Sequence, residues 1–417
     1  MKKTILFLLA IAAATTTYSQ TAADYETVVA QFQRYYNNNQ VDSIEYILSG
    51  IMQQVSPLEK TQKMIMQLKD QFGKMQSYSR TRQDKQFTYY KTDFRIRTMT
   101  LVMGLDKEKK ISNFRFTEYQ PEPVFVNNIF VAAGKDTIFG TLTLPEQTGK
   151  KVPVVMIIAG SGPTDRDGNQ GSSVKTNTYL MIADSLKKAG IACVRYDKRG
   201  VGASLGSIEK EEDIHFEDEI NDAAGFIKIL KLDSRFSKVF VLGHSEGSLI
   251  GMVAANKEKP TGFISVAGAG ERIDKIIEQQ LSTQSSTLTE KATIILDSLA
   301  AGYKPKNIDP YLETLFRPST LPYMISWLKY DPQKEIKKLS GKVLIIQGTT
   351  DVQVSVDEAK KLKKAKPEAT LKLITGMSHI MKNGPADRTQ NIATYTKTYL
   401  PLNDEIVLTI VKFVSAD

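Results

Sequence analysis

"SKVFVLGHSEGSLIGMVAANK", Ser237 to Lys257, is the stretch on which the reading of this chain turns. The run "KVFVL" enters Gly243-His244-Ser245-Glu246-Gly247 directly, and an amphipathic helical pattern follows at once. A serine on a sharp turn between a strand and a helix has its Oγ lifted clear at the carboxyl edge of a sheet. A glycine two positions to either side then allows the crowded backbone. Gly-x-Ser-x-Gly alone is weak, since a chain this long matches by chance about one time in ten at ordinary Gly and Ser usage. A second match, "GASLG" at 202–206, lies well past its strand in a loop, so Ser204 reads as a loop serine.

Working outward, residues 119–417 alternate strand and helix patterns. "VFVNNIFV" and "TIFGTLTLP" form an opening hairpin. Apolar runs such as "VPVVMIIAG", "IACVRYD", "GFISVAG" and "KVLIIQG" then alternate with amphipathic segments. Short apolar runs between helices predict a mostly parallel sheet with helices on both faces. The rhythm breaks at 271–333, which reads as a helical cap inserted between two strands.

A serine hydroxyl is a poor nucleophile without a general base. The chain has three histidines. His244 adjoins Ser245 and reads as packing in the turn, and His215 begins a helix upstream of the serine. That leaves His379, in "GMSHIMK" after the last strand. The order serine, acid, histidine is the one this architecture uses. Asp351, at the end of "KVLIIQGTTD", fits the acid. Asp331 precedes Pro332 as a helix start does, and Asp357 lies in the next helix's first turn. Two backbone N–H groups would hold an oxyanion: that of Glu246 after the serine, and that of Ser161 in the loop "AGSGPTDRDGN". Asp165, Arg166 and Asp167 in that loop read as internal bracing.

The first half differs. Helical periods over "YETVVAQFQRYYNN", "DSIEYILSGIM" and "SPLEKTQKMIMQLKDQFGKM" give way to aromatic and β-branched runs, with "GLDKEKK" as a hairpin turn. Residues 20–118 therefore read as a small α+β domain, with Ser56 as a helix N-cap before Pro57. "YQPEP" is the expected linker. Lys2 and Lys3, the apolar run Ile5–Ala14 and "TYS" read as a signal peptide over 1–19, cleaved before Gln20. The expectation is an exported protein, periplasmic or extracellular. The single cysteine, Cys193, allows no disulfide within the chain and reads as a small core residue. Without Lys2 and Lys3 the formal charge falls from +9 to +7. The densest basic run, Lys360 to Lys366, has the spacing of a solvated helix face, with Ser355 and Glu358 as a capping box. No nucleic-acid motif is present, and no later stretch is apolar enough to span a bilayer.

The motifs "AGSGPTDRDGN", "RYDKRGVGAS", "GHSEG", "QGTTD" and "GMSH" together resemble the α/β-hydrolases, and among them bacterial serine esterases and prolyl-aminopeptidase-like hydrolases. Ser245, Asp351 and His379 match that family's nucleophile, acid and base. Two positions depart: Ala159, where many relatives have His, and Ser248, where a second glycine is frequent. The first half is faintly similar to a small uncharacterised α+β domain that sometimes precedes such hydrolases, which assigns no activity.

The function expected is serine carboxylesterase action on a small-molecule ester, through an acyl-enzyme and with no metal or cofactor. Two alternatives remain. An aminopeptidase-type amidase would recognise a free α-amine, for which the cap offers Glu271, Glu278, Glu290 and Glu313. A hydrolase-fold binding protein would lack turnover. The cap is expected to sit above Ser245, with Phe316, Met324 and Trp327 lining a substrate pocket. The alternative is that these residues only hold the cap down.

Overall fold

The computed structural model describes residues 20–83, 87–119, 128–134, 136–146, 150–282, 285–305 and 307–416. The expected signal peptide and all but the first residue of the linker lie outside them. The chain divides into two units, Met1–Val124 and Phe125–Asp417.

In the first unit, helices α1 (Ala22–Asn37), α2 (Val41–Ile47), α3 (Gly50–Val55) and α4 (Leu58–Phe72) precede four strands. These are β1 (Met75–Gln83), β2 (Thr88–Phe94), β3 (Thr98–Leu105) and β4 (Ile111–Glu118), paired in sequence order and antiparallel. The turn between β3 and β4 is closed by Asp106, whose Oδ1 accepts from the N–H groups of Glu108 and Lys110. Phe32, Tyr36, Phe94 and Phe116 form an aromatic core between helices and sheet, with ring centroids 5.4–5.9 Å apart along the chain of contacts. One detail departs from expectation. Pro57, not Ser56, occupies the N-cap of α4, and the Ser56 hydroxyl instead lies 3.2 Å from that of Thr61.

The second unit opens with the antiparallel pair β5 (Asn128–Ala133) and β6 (Asp136–Thr143), then β7 (Val152–Ile158). After β7 comes an excursion carrying a two-residue-per-strand hairpin, β8 (Asn169–Gln170) and β9 (Val174–Lys175). Next are α5 (Thr178–Lys188), β10 (Ala192–Tyr196), α6 (Phe216–Leu232), β11 (Phe236–His244), α7 (Glu246–Glu258) and β12 (Gly262–Val266). The cap holds α8 (Ile273–Ser282), α9 (Ser286–Ala300), α10 (Glu313–Phe316) and α11 (Leu321–Trp327), and α12 (Pro332–Lys338) leads back to the sheet. The chain ends with β13 (Lys342–Gly348), α13 (Val356–Ala365), β14 (Thr370–Ile374), α14 (Arg388–Ile392) and α15 (Asp404–Ser415).

The sheet order is β14-β13-β12-β11-β7-β10-β6-β5, parallel from β14 through β10 and antiparallel at β6 and β5. Period-two alternation explains the double covering. Val154, Met156 and Ile158 face the side packed by α6, α7 and α13, while Val155 and Ile157 face α5 and α15. Every residue of β10 and β12 is buried, as a strand covered on both faces requires.

The capping box expected at α13 does not form. Glu358 is buried, and its carboxylate accepts from the backbone N–H groups of Gly270 and Glu271 at 2.9 and 2.8 Å. It anchors the start of the cap instead, because two orphan donors there outcompete the N-cap. The cap has its own apolar core, in which Phe316 and Met324 are buried with Leu296 and Leu299.

Candidate active site

Ser245 stands between β11 and α7 with φ 56° and ψ −123°. This is sparsely populated backbone for a residue with a Cβ. Its flanking glycines are required by contact. A Cβ on Gly243 would come within 2.2 Å of the Gly247 carbonyl oxygen, and one on Gly247 within 2.4 Å of the Ile158 and Ala159 carbonyl oxygens. The turn is pinned by the Ser245 N–H donating to the Val266 carbonyl at 2.9 Å. At Ser248, where a glycine is frequent in similar sequences, the hydroxyl pairs with that of Ser265 at 2.7 Å. Ser204 is remote from this turn in role: its Oγ accepts from the Phe139 N–H at 2.9 Å.

Asp351 and His379 meet. The imidazole Nδ1 lies 2.8 Å from Asp351 Oδ2, and both side chains are almost wholly buried. The carboxylate is held on every side. Oδ1 accepts from the N–H groups of Gln353 and Val354, and Oδ2 also accepts from Gln347 Nε2 at 3.0 Å. Burial alone would raise the Asp351 pKa, but the adjacent His379 and these N–H groups outweigh it and hold the carboxyl below its ordinary range. Asp331 caps α12 and Asp357 pairs with Lys360, so neither competes for the imidazole. Ser245 and His379 line one cavity of about 260 Å³.

His244 does more than pack. Tyr179 Oη lies 2.8 Å from its Nδ1, and its Nε2 lies 2.9 Å from the His379 carbonyl oxygen. A carbonyl only accepts, so Nε2 carries the proton and Nδ1 accepts from the tyrosine. Tyr179 Oη in turn accepts from the Gly160 N–H at 3.2 Å. Burial first, and then the neighbouring His379, hold the His244 pKa down to about 3. The chain Gly160–Tyr179–His244–His379 thus joins the loop after β7 to the backbone of His379.

That loop presents a free donor beside Ser245. The Gly160 N–H is engaged by Tyr179, whereas among the described residues neither the Ser161 N–H nor the Glu246 N–H finds an acceptor. The acidic and basic loop residues are braces, as expected. Arg166 pairs with Asp197 at 2.6 Å, Asp167 with Arg195, and Asp165 Oδ1 accepts from Asp167 and Asn169 N–H groups.

The cavity walls differ from those expected. They come from the excursion around β8 and β9 (Gln170, Val174, Thr176) and from the C-terminal arm (Ile380, Met381, Tyr395). Phe316, Met324 and Trp327 do not line it. Phe316 and Met324 are consumed by the cap's own core, and Trp327 stacks on Phe216 at 5.4 Å and 5°. The cap still reaches the serine turn, through a hydrogen bond from Tyr323 Oη to the Glu246 carboxylate. The two walls are tied by Lys382. Its fully buried ammonium donates to the Thr176 carbonyl at 2.7 Å and, more loosely, to those of Lys397 and Thr398. No local pattern marks this residue's burial, or Tyr179 and Tyr395, which lie outside the motifs that frame Ser245.

A serine on a strained strand-to-helix turn, an acid after β13 and a histidine after β14, on a mostly parallel sheet, define an α/β-hydrolase. The sequence matches the serine aminopeptidase S33 family (Hydrolase_4) over residues 170–385, just over half of the chain, and the protein belongs to that family. It is 28% identical over 313 residues to esterase EstD of Thermotoga maritima, covering 70% of this chain and 71% of that one. Among solved structures, Est1E from Butyrivibrio proteoclasticus with ferulic acid bound aligns at 16% identity and TM-score 0.46, over 69% of this chain and 96% of that one. Proline iminopeptidase of Mycobacterium smegmatis aligns at 14% identity and TM-score 0.43, over 69% and 97%. No helix among the described residues is long and apolar enough to cross a membrane.

Proposed function

We propose that the second unit hydrolyses small, uncharged carboxylic esters through an acyl-enzyme on Ser245. His379 takes the Ser245 proton as Oγ attacks the ester carbonyl. The Ser161 and Glu246 N–H groups hold the oxyanion, an arrangement in which each donor is worth about 2.7–4 kcal/mol of barrier. The imidazolium, stabilised by Asp351, then protonates the leaving alcohol as the C–O bond breaks. Water, deprotonated by the same histidine, releases the acid and regenerates Ser245.

The observation that carries the ester reading is the lining of the cavity. Among the described residues no carboxylate reaches it. An aminopeptidase must pair a substrate ammonium, and the cap glutamates are elsewhere: Glu271 pairs with Lys361, Glu278 with Lys275, and Glu290 and Glu313 are exposed. The similarity to an esterase points the same way. The test is a panel of acyl esters beside aminoacyl anilides, with fluorophosphonate labelling of Ser245. Ester turnover with labelling at Ser245 is expected. Preference for the anilides would reverse the reading, and an unlabelled, inactive protein would leave a binding function.

A further inference from the structure

The Gly160–Ser161 peptide group has two ends. Its N–H, on Ser161, is without an acceptor among the described residues. Its carbonyl, on Gly160, accepts a hydrogen bond from Lys198 Nζ at 3.3 Å. We propose that Lys198 is the positioning residue of the oxyanion hole, its ammonium gripping the Gly160 carbonyl and the Glu246 carboxylate so that the Ser161 and Glu246 N–H groups converge on one point. The inference rests on the esterase reading above.

Lys198 follows β10, Glu246 opens α7, and the Gly160 loop follows β7, so one side chain joins three elements. Its Nζ lies 3.5 Å from Glu246 Oε2 and 3.9 Å from Glu219 Oε2 on α6, and all three side chains are less than 8% exposed. Tyr323 completes Glu246 from the cap. Burial opposes charge on Lys198, but Glu219 and then Glu246 outweigh it, so the amine stays protonated. An ammonium at a peptide carbonyl polarises that peptide and strengthens the N–H at its other end, since chained hydrogen bonds reinforce one another. It also holds the one peptide group between the Gly160 N–H, bonded to Tyr179, and the Ser161 carbonyl, bonded to Gln170. Stability alone does not account for the group, because buried ion pairs are often no better than apolar residues of the same volume. An orienting role at two donors does.

The test compares Lys198→Met, Lys198→Gln and Lys198→Arg in the full chain, with a short acyl p-nitrophenyl ester. The analogue is a trifluoromethyl ketone, whose hemiketal oxyanion with Ser245 would occupy the hole. For Lys198→Met, kcat is expected to fall about 10- to 100-fold with KM within about twofold, and analogue affinity to fall by the same factor as kcat. Lys198→Arg, keeping charge and donor, is expected to recover part of both. If Lys198→Met does not fold, as circular dichroism would report, Lys198→Gln carries the same comparison. A folded variant with unchanged kcat, or a kcat loss without matching loss of analogue affinity, overturns the role of Lys198. Wild-type protein without ester turnover or Ser245 labelling overturns the esterase reading instead.

Discussion

Tyr179 Oη lies 2.8 Å from Nδ1 of His244 and donates to it, because the His379 carbonyl 2.9 Å from Nε2 only accepts and so puts the imidazole proton on Nε2. The backbone of the proposed base is therefore oriented from the residue next to the proposed nucleophile. Tyr179→Phe removes the O–H donor and leaves the Gly160 N–H without its acceptor. The expected outcome is about a tenfold lower kcat with KM nearly unchanged, the pattern of an interaction realised in the transition state. Steady-state kinetics on a short ester checks it. A rise in KM at constant kcat would mean that Tyr179 only shapes the pocket.

His244 also makes the fold acid-sensitive. Its pKa falls from an ordinary 6.5 to about 3 on folding, so below pH 6.5 the unfolded chain binds a proton that the native one refuses. Stability is thus full above about 6.5 and is lost as pH falls toward 3. At pH 5 the loss from this one group is about 2 kcal/mol. Urea denaturation at pH 7 and pH 5 measures it, and His244→Asn should show a smaller difference than wild type. An equal pH dependence in both proteins would assign the acid sensitivity elsewhere.

How much of this was legible in the sequence follows from how local each signal is. The Ser245 turn is written in five consecutive residues, of which Gly243 abuts the backbone of α7 and Gly247 the end of β7. Asp351 and His379 stand out because few histidines compete and each lies just past a strand. Nothing in the sequence marks Lys198 or Lys382 as buried, and Glu358 reads as half of a capping box, since burial of a charge depends on partners from distant elements: the Gly160 and Thr176 carbonyls and the Gly270 N–H. The cap misled for a related reason. An apolar helix face shows that Phe316 and Trp327 are covered, not whether a cavity or a neighbouring helix covers them.

Lys382→Met tests the tie between the two cavity walls. The ammonium has only carbonyl partners and no carboxylate within reach among the described residues. Removing it leaves buried acceptors unpaired, at a cost of about 2–3 kcal/mol. Thermal unfolding should show a clear fall in Tm, with KM raised more than kcat is lowered because the walls lose their spacing. An unchanged Tm would show that the carbonyls find other donors.

Ser245→Ala should abolish turnover and fluorophosphonate labelling, while Ser204→Ala should retain both. The Ser204 hydroxyl supports the Phe139 N–H and nothing in the cavity, so its loss should cost about 1 kcal/mol of stability. Activity surviving in purified Ser245→Ala protein would overturn the assignment of the nucleophile.

Chain-length preference should reside in the walls and not in the cap. The cavity of about 260 Å³ lies just under the usual range for drug-sized ligands, which favours short acyl groups. Each additional buried methylene is worth up to about 0.8 kcal/mol, or about fourfold in kcat/KM, as long as space remains. Ile380 and Tyr395 border that space, while Phe316, Met324 and Trp327 are spent on other contacts. Ile380→Ala and Tyr395→Ala should therefore shift the kcat/KM ratio toward medium-chain esters by several-fold. Phe316→Ala and Met324→Ala should instead lower Tm, as large-to-small changes in a core do, and leave the ratio alone. Kinetics on esters of two to eight acyl carbons, beside melting curves for the same four variants, separates the effects. A ratio that moves with the cap variants and not with the wall variants would return selectivity to the cap.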